Sequence, residues 1–355
     1  MKKFFAILCA AISLVACSEE KSDKPVVKIG VLYPLTGDGA FLGESAKIAT
    51  TMFFEDHTNT KYKYELVWED SQANPATAVS AVRKLINYDK VDVVFDLYSS
   101  VGLAVSPITN ENKTPHLTFA QDKNISKGVY NWRVVTPDKK TGEKMLSALK
   151  KRNLKNIVAV VENAAGNLSL YQGFQDTAKQ DNNIKITEML VNPSERDFNV
   201  IVDKINKISP DAVMTVLHSP EIDIFMRQAK THNVQVPITG LQSFTFLKDK
   251  SLADGGWYVD VSMADNDFMA RYNKITNNAP TSFAENFYTL LLVAVTNFES
   301  FDKKPTAEEF INNLKSVDGI ISPIGKLVYD ETEQNIETDA SVRKVENGTV
   351  IKLDE

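Results

Sequence analysis

Tyr98-Ser99-Ser100 follows the apolar run Val91–Phe95, which reads as a buried strand, and precedes a helical pattern from about Val101 to Asn112. Hydroxyls at such a junction, with the first-turn N–H groups and the positive end of the helix dipole, favour an anion. The same serines have the chemistry of a helix N-cap, and both roles can hold at once. Other chemistry is harder to find. Ser99 lacks a GxSxG context, and no His–acid partner is identifiable to activate it. The four histidines, His57, His116, His218 and His232, have no metal-ligand spacing. Gly37-x-Gly39-x-x-x-Gly43 departs from GxGxxG, and no P-loop is present. With no nucleophile–base set, metal cluster or cofactor motif, an enzyme is the least favoured class, and neither cofactor nor metal is expected.

The elements that must position these residues alternate. Strand patterns at Val26–Tyr33, Tyr64–Trp68, Val91–Phe95 and Pro115–Phe119 are separated by helical patterns at Phe41–His57, Ala76–Tyr88 and about 101–112. Asn74-Pro75 supplies a start signal for the second helix. The series restarts with strands at Asn156–Val161, Ile184–Leu190, Asp211–Val216 and Val236–Thr239, again with helices between. Helices at Asp267–Thr276, Phe283–Phe298 and Ala307–Leu314 follow a strand at Trp257–Val261. Two such series, around 27–119 and 156–239, predict an α/β protein of two doubly wound parallel-sheet lobes. Ligands in such sheets bind beyond the carboxyl ends of the strands, which directs attention to the loops at 33–42, 69–75, 96–100, 119–124, 162–168, 217–220 and 240–245.

The N-terminus carries a different message. Lys2 and Lys3 precede an apolar run from Phe4 to Ala16, too short to cross a hydrocarbon core that needs about 20 residues. Leu14-Val15-Ala16-Cys17 resembles the bacterial lipobox, so residues 1–16 are expected to leave as a signal peptide and Cys17 to carry acyl (palmitate) chains as a membrane anchor. Ser18 after that Cys resembles an outer-membrane address. Charged, small residues complete a tether over 17–25. The chain's two cysteines are Cys9 and Cys17, so the folded part is expected to hold neither thiol nor disulfide. The net charge of −6 falls to −8 without Lys2 and Lys3, an acidic balance that argues against nucleic acid.

Beyond these signals, the run Gly30-Val31-Leu32-Tyr33-Pro34-Leu35-Thr36-Gly37-Asp38-Gly39-Ala40-Phe41-Leu42-Gly43 resembles the opening of periplasmic binding proteins of the branched-chain amino acid type, which have the class I fold. Glu69-Asp70-Ser71-Gln72-Ala73-Asn74-Pro75, Tyr98-Ser99-Ser100, Thr118-Phe119-Ala120 and Ser194-Glu195-Arg196-Asp197-Phe198 match further on, and the matches run from about 26 to 330. The resemblance implies a three-strand hinge, with lobe 1 at 25–137 plus 262–330 and lobe 2 at 138–261 plus 331–355. It implies that Ser99 binds a ligand carboxylate, with Ser100 beside it, and that Ala120 and Gln121 form the facing turn. Tyr98 reads equally as an aromatic wall or as strand-end packing.

Three positions depart from the family. Its acidic partner for a ligand ammonium falls at Gln242, its aromatic in the 162–168 loop falls near Gly166, and the aromatic after Asp211–Val216 falls at His218 or Ser219. A neutral amide loses the charge-assisted part of that bond. Glu162 could stand in for the missing acid, although a solvated loop charge is the plainer reading. The resulting expectation is a monomeric extracytoplasmic lipoprotein of the cell envelope, at the inner or outer membrane, that captures a small carboxylate-bearing ligand for an ABC-type permease. The alternative is a ligand-sensing or envelope-enzyme-regulating lipoprotein of the same fold.

Overall fold

The computed structural model describes residues 24–277, 281 and 283–355. The expected signal peptide, Cys17 and tether residues 18–23 lie outside the described residues. In chain order the strands are β1 (Val26–Tyr33), β2 (Lys63–Asp70), β3 (Val93–Asp96), β4 (His116–Thr118), β5 (Asn131–Arg133), β6 (Asn156–Glu162), β7 (Lys185–Val191), β8 (Ala212–Val216), β9 (Ile238–Gly240), β10 (Trp257–Val261), β11 (Ile321–Ser322), β12 (Gly325–Lys326), β13 (Val328–Asp330), β14 (Asn335–Glu337), β15 (Ala340–Glu346) and β16 (Thr349–Leu353). The α-helices are α1 (Ala40–Asp56), α2 (Pro75–Lys84), α3 (Ser99–Glu111), α4 (Asp138–Lys151), α5 (Ala165–Ala178), α6 (Asn199–Ile208), α7 (Glu221–Thr231), α8 (Asn266–Thr276), α9 (Ala284–Glu299) and α10 (Ala307–Asn312).

Two sheets result. The first runs β13-β14-β5-β4-β3-β1-β2, with β1 through β5 parallel. The second runs β7-β6-β8-β9, also parallel, and a bridge from Leu241 to Val259 leads on to β10, β15 and β16. Parallel strands covered by helices on both faces read as continuous apolar runs, and in β1 all of Gly30–Tyr33 is buried. Asn74 caps α2 by accepting from the Ala76 and Thr77 N–H groups, with Pro75 at the first helical position.

One correction concerns the lobe boundary. β14 pairs with β5 and β13, so residues 335–337 belong to the first sheet rather than the second. The third crossing lies at Thr338-Asp339, after β14 and not after residue 330. The three crossings are laced together: Thr136 Oγ1 and Thr338 Oγ1 lie 2.8 Å apart, the Ser262 N–H donates to the Asp339 carbonyl at 2.6 Å, and Ser341 Oγ donates to the Val261 carbonyl at 3.1 Å. Beside them Arg343 donates to the Val261 carbonyl at 2.7 Å and faces Asp260 at 3.4 Å, both side chains buried. Among the described residues no helix is long and apolar enough to cross a membrane.

The first lobe is centred on α9, which is buried nearly all round, as a helix enclosed by its own domain must be. Its Phe287 meets Tyr33 edge-on at 5.1 Å, stacks on Trp68 at 5.6 Å and touches Phe95 at 6.0 Å. Phe287→Ala should therefore leave a cavity under the β1–β3 strands and cost about 3–5 kcal/mol, measured by urea denaturation. A loss under about 1 kcal/mol would show that the ring is not part of that core.

Candidate functional site

The carboxyl ends of both sheets face each other, and the loops that leave them enclose a cavity. From the first sheet, the turn from β3 into α3 brings Leu97, Tyr98, Ser99 and Ser100, and the segment after β4 brings Phe119 and Gln121. The second supplies Ala164–Asn167 and Leu170 after β6, His218 after β8, and Gln242 and Phe246 after β9. Phe283, the residue before α9, closes the wall. Of the residues singled out in the sequence, Tyr98, Ser99, Ser100, Gln121, Gly166, His218 and Gln242 all line this cavity. Ala120 does not: it is buried, and its N–H is taken by Thr118 Oγ1 at 3.0 Å.

Ser99 is the first residue of α3, one position after the N-cap residue Tyr98, whose side chain makes no capping bond. Ser99 is thus not a cap in this structure; its Oγ accepts the Asp122 N–H at 3.2 Å and is 7% exposed as a residue. Opposite it, α5 starts at Ala165 after Ala164, again with no side-chain cap. First-turn N–H groups have no intrahelical partner, so two uncapped helix starts face the same space. They are close: a Cβ added to Gly166 would lie 2.9 Å from Ser99 Oγ. The absent side chain at Gly166, a departure from the family's aromatic residue, is what lets the helices approach.

Polar side chains complete this end. Gln121 is 6% exposed, and neither its amide oxygen nor its amide nitrogen has a partner; buried amides seldom go unsatisfied. The Tyr98 ring meets His218 across the cavity at 5.9 Å, and burial, with Glu162 nearby, pushes its hydroxyl well above the ordinary phenol value, keeping it a donor. Gln242 holds a left-handed backbone (φ 58°), pinned by its N–H to the Val259 carbonyl at 2.8 Å. Phe283 is also left-handed (φ 67°). Such conformations in bulky residues persist where surrounding structure enforces them. The turn after Gln242 is fixed by the buried Lys250 ammonium, which donates to the Phe244, Thr245 and Leu247 carbonyls at 2.7, 2.7 and 2.9 Å; burial pushes its pKa down to about 7.

Glu162 corrects the solvated-loop reading. It ends β6 at 6% exposure and accepts from the His218 N–H, His218 Nδ1 and Asn167 Nδ2, each at 3.0 Å. Asp, Glu, Lys and Arg are all missing from the described lining of the cavity. The buried Asp96–His116 pair (3.0 Å), with Thr118 donating to Asp96, sits inside the first sheet at zero exposure, out of reach of a ligand. Among the described residues no cluster of potential metal ligands occurs. Sequence reading did not single out Leu97, Phe119, Ala164, Ala165, Asn167, Leu170, Phe246 or Phe283 as site residues; the polar one, Asn167, in the first turn of a helix after a strand, carried a local signal.

Burial alone would raise the Glu162 pKa, but its bonds from His218 and Asn167 hold it below the usual 4.5. A carboxylate depressed on folding stabilises fully above its unfolded value and loses that contribution as pH falls through the folded one. Glu162→Gln should cost about 1–3 kcal/mol at pH 7. The gap to the parent should shrink as the pH is taken below the ordinary glutamate range, followed by denaturant titration at each pH. An equal gap at all pH values would contradict the charged pairing.

Comparison with known proteins agrees with this geometry. The model of a family described as periplasmic binding protein matches residues 26–349. A Leu/Ile/Val-binding protein of Rhizobium johnstonii is 25% identical over 344 residues, spanning 92% of this chain and 93% of the relative. A leucine-binding protein of Thermotoga maritima has a similar structure, with a TM-score of 0.83 at 19% identity, covering 92% and 97% of the two chains. A solute-binding protein of an ABC transporter from R. palustris, solved in complex with benzoate, gives 0.82 at 19% identity, covering 92% and 95%. The two structural likenesses show the α/β fold with its parallel sheets, and the sequence match across nearly the whole chain shows that it belongs to the periplasmic binding protein family.

Proposed function

We propose that this protein is a solute-binding protein, not an enzyme, that holds a small monocarboxylate with an apolar body between its lobes and hands it to an ABC-type importer. The observation that carries the reading is the pairing of two uncapped helix starts across a cavity whose described lining has no acidic or basic side chain except His218. An anion gains from both helix dipoles and from the Ser99 hydroxyl, the Gln121 amide and Tyr98. The apolar part would lie against Leu97, Phe119, Phe246 and Phe283. An ammonium finds no free carboxylate, because Glu162 is already engaged by His218 and Asn167. Both kinds of ligand occur in the relatives' names: branched-chain amino acids for the Rhizobium protein, benzoate for that of R. palustris. A ligand that touches both walls favours the closed arrangement. The lipobox-like run Leu14–Cys17 supports an envelope lipoprotein anchored through Cys17 outside the cytoplasm.

Isothermal calorimetry with benzoate and with leucine tests the reading. Benzoate should bind, and leucine should bind at least about tenfold more weakly, since its ammonium would be buried without a counter-charge. Ser99→Ala should weaken benzoate about tenfold to a hundredfold, the worth of one hydrogen bond to a charged group. Tight leucine binding with no response to benzoate would overturn the assignment.

A further inference from the structure

The inner cavity has a volume of about 70 Å³, well under the ~300–1,000 Å³ usual for ligand pockets. Directly outside it lies a groove of about 670 Å³. Phe246 is the one described residue that borders both. Its ring stands edge-on to His218 (4.7 Å, 77°) and tilts against Phe283 (5.5 Å), so it forms the partition between the two spaces. The backbone that carries it is clamped by Lys250, so motion there falls to the ring rather than to the turn.

The groove's chemistry differs from that of the inner end. Phe41 and Ile48 on α1 and Tyr272 and Ile275 on α8 form one side, and Leu247 of the second lobe forms the other. Its charged groups are Glu44 and the Asp38–Lys248 pair, joined at 3.0 Å across the two lobes. That lysine is already matched and Glu44 repels anions, so among the described side chains of the groove none offers a carboxylate an unmatched cation. Ile275, 51% exposed, leaves apolar surface open to whatever lies there.

We infer that the groove is a second subsite, taking the apolar chain of an elongated monocarboxylate whose head group sits between the starts of α3 and α5, with the Phe246 ring as the gate. This rests on the carboxylate reading of the inner cavity. The substrate class is then alkyl or arylalkyl acids rather than compact amino acids. The chain would touch both lobes, adding to the contacts that hold them together.

The test is calorimetry of the protein with butanoate, hexanoate, octanoate and benzoate, on the parent and on Ile275→Glu. Affinity should climb from butanoate to octanoate by roughly fourfold per methylene buried. Ile275→Glu should weaken octanoate by about tenfold or more while leaving butanoate and benzoate within about twofold; unchanged benzoate binding also shows that the variant is folded. A series flat in chain length, with butanoate and benzoate binding, would overturn the second subsite and leave the inner one standing. A loss shared equally by all four acids in the variant would overturn it as well. Failure of every acid to bind the parent would remove the carboxylate reading and this inference together.

Discussion

A parallel strand that feeds directly into a helix delivers the helix's first N–H groups to the carboxyl edge of the sheet, with no intrahelical acceptor for them. Here that happens twice at one place. The α3 and α5 starts come from different sheets, neither has a side-chain cap, and they meet where Gly166 has no side chain to hold them apart. The remaining features follow from that need for a shared acceptor. Gln121 keeps an unpartnered amide, Tyr98 stays protonated through burial, and Glu162 is folded back onto His218 and Asn167 instead of facing the space. A carboxylate exposed there would compete for the same donors.

The supporting structure is consistent with this demand. The three crossings are joined by Thr136, Thr338, Ser262 and Ser341, so they act together. The buried Arg343–Asp260 pair and the Lys250 clamp then fix the strand and turn that carry Gln242 and Phe246. Buried pairs of this sort contribute little net stability but are costly to break. Their placement at the hinge and behind the binding wall makes them positioning groups.

Much of this was legible in the sequence because it depends on local order. Alternating apolar strands and helical patterns gave two parallel sheets, and residues just after strand ends, from Tyr98 to Gln242, fell at the cavity. What escaped depends on contacts distant in the chain. Glu162 looked solvated because its partner, His218, lies on another loop. Phe246 and Phe283 enter from a short 3-10 turn and a left-handed backbone, neither of which has a periodic signature. Ala120 lies off the cavity lining, with its N–H taken by Thr118 two residues earlier. The short β13 and β14 strands carry too few residues for a period-2 pattern, so the third crossing was placed too early.

The most direct measurement is the distance between the lobes. In a chain whose Cys9 and Cys17 are replaced by serine, spin labels at Lys47→Cys on α1 and Lys230→Cys on α7, both exposed, report it by pulsed electron resonance. If an anion between the helix starts draws the walls together, saturating benzoate should shift the distribution to shorter distances and narrow it. A distribution unchanged by benzoate, with calorimetry showing the site filled, would contradict closure around a shared anion.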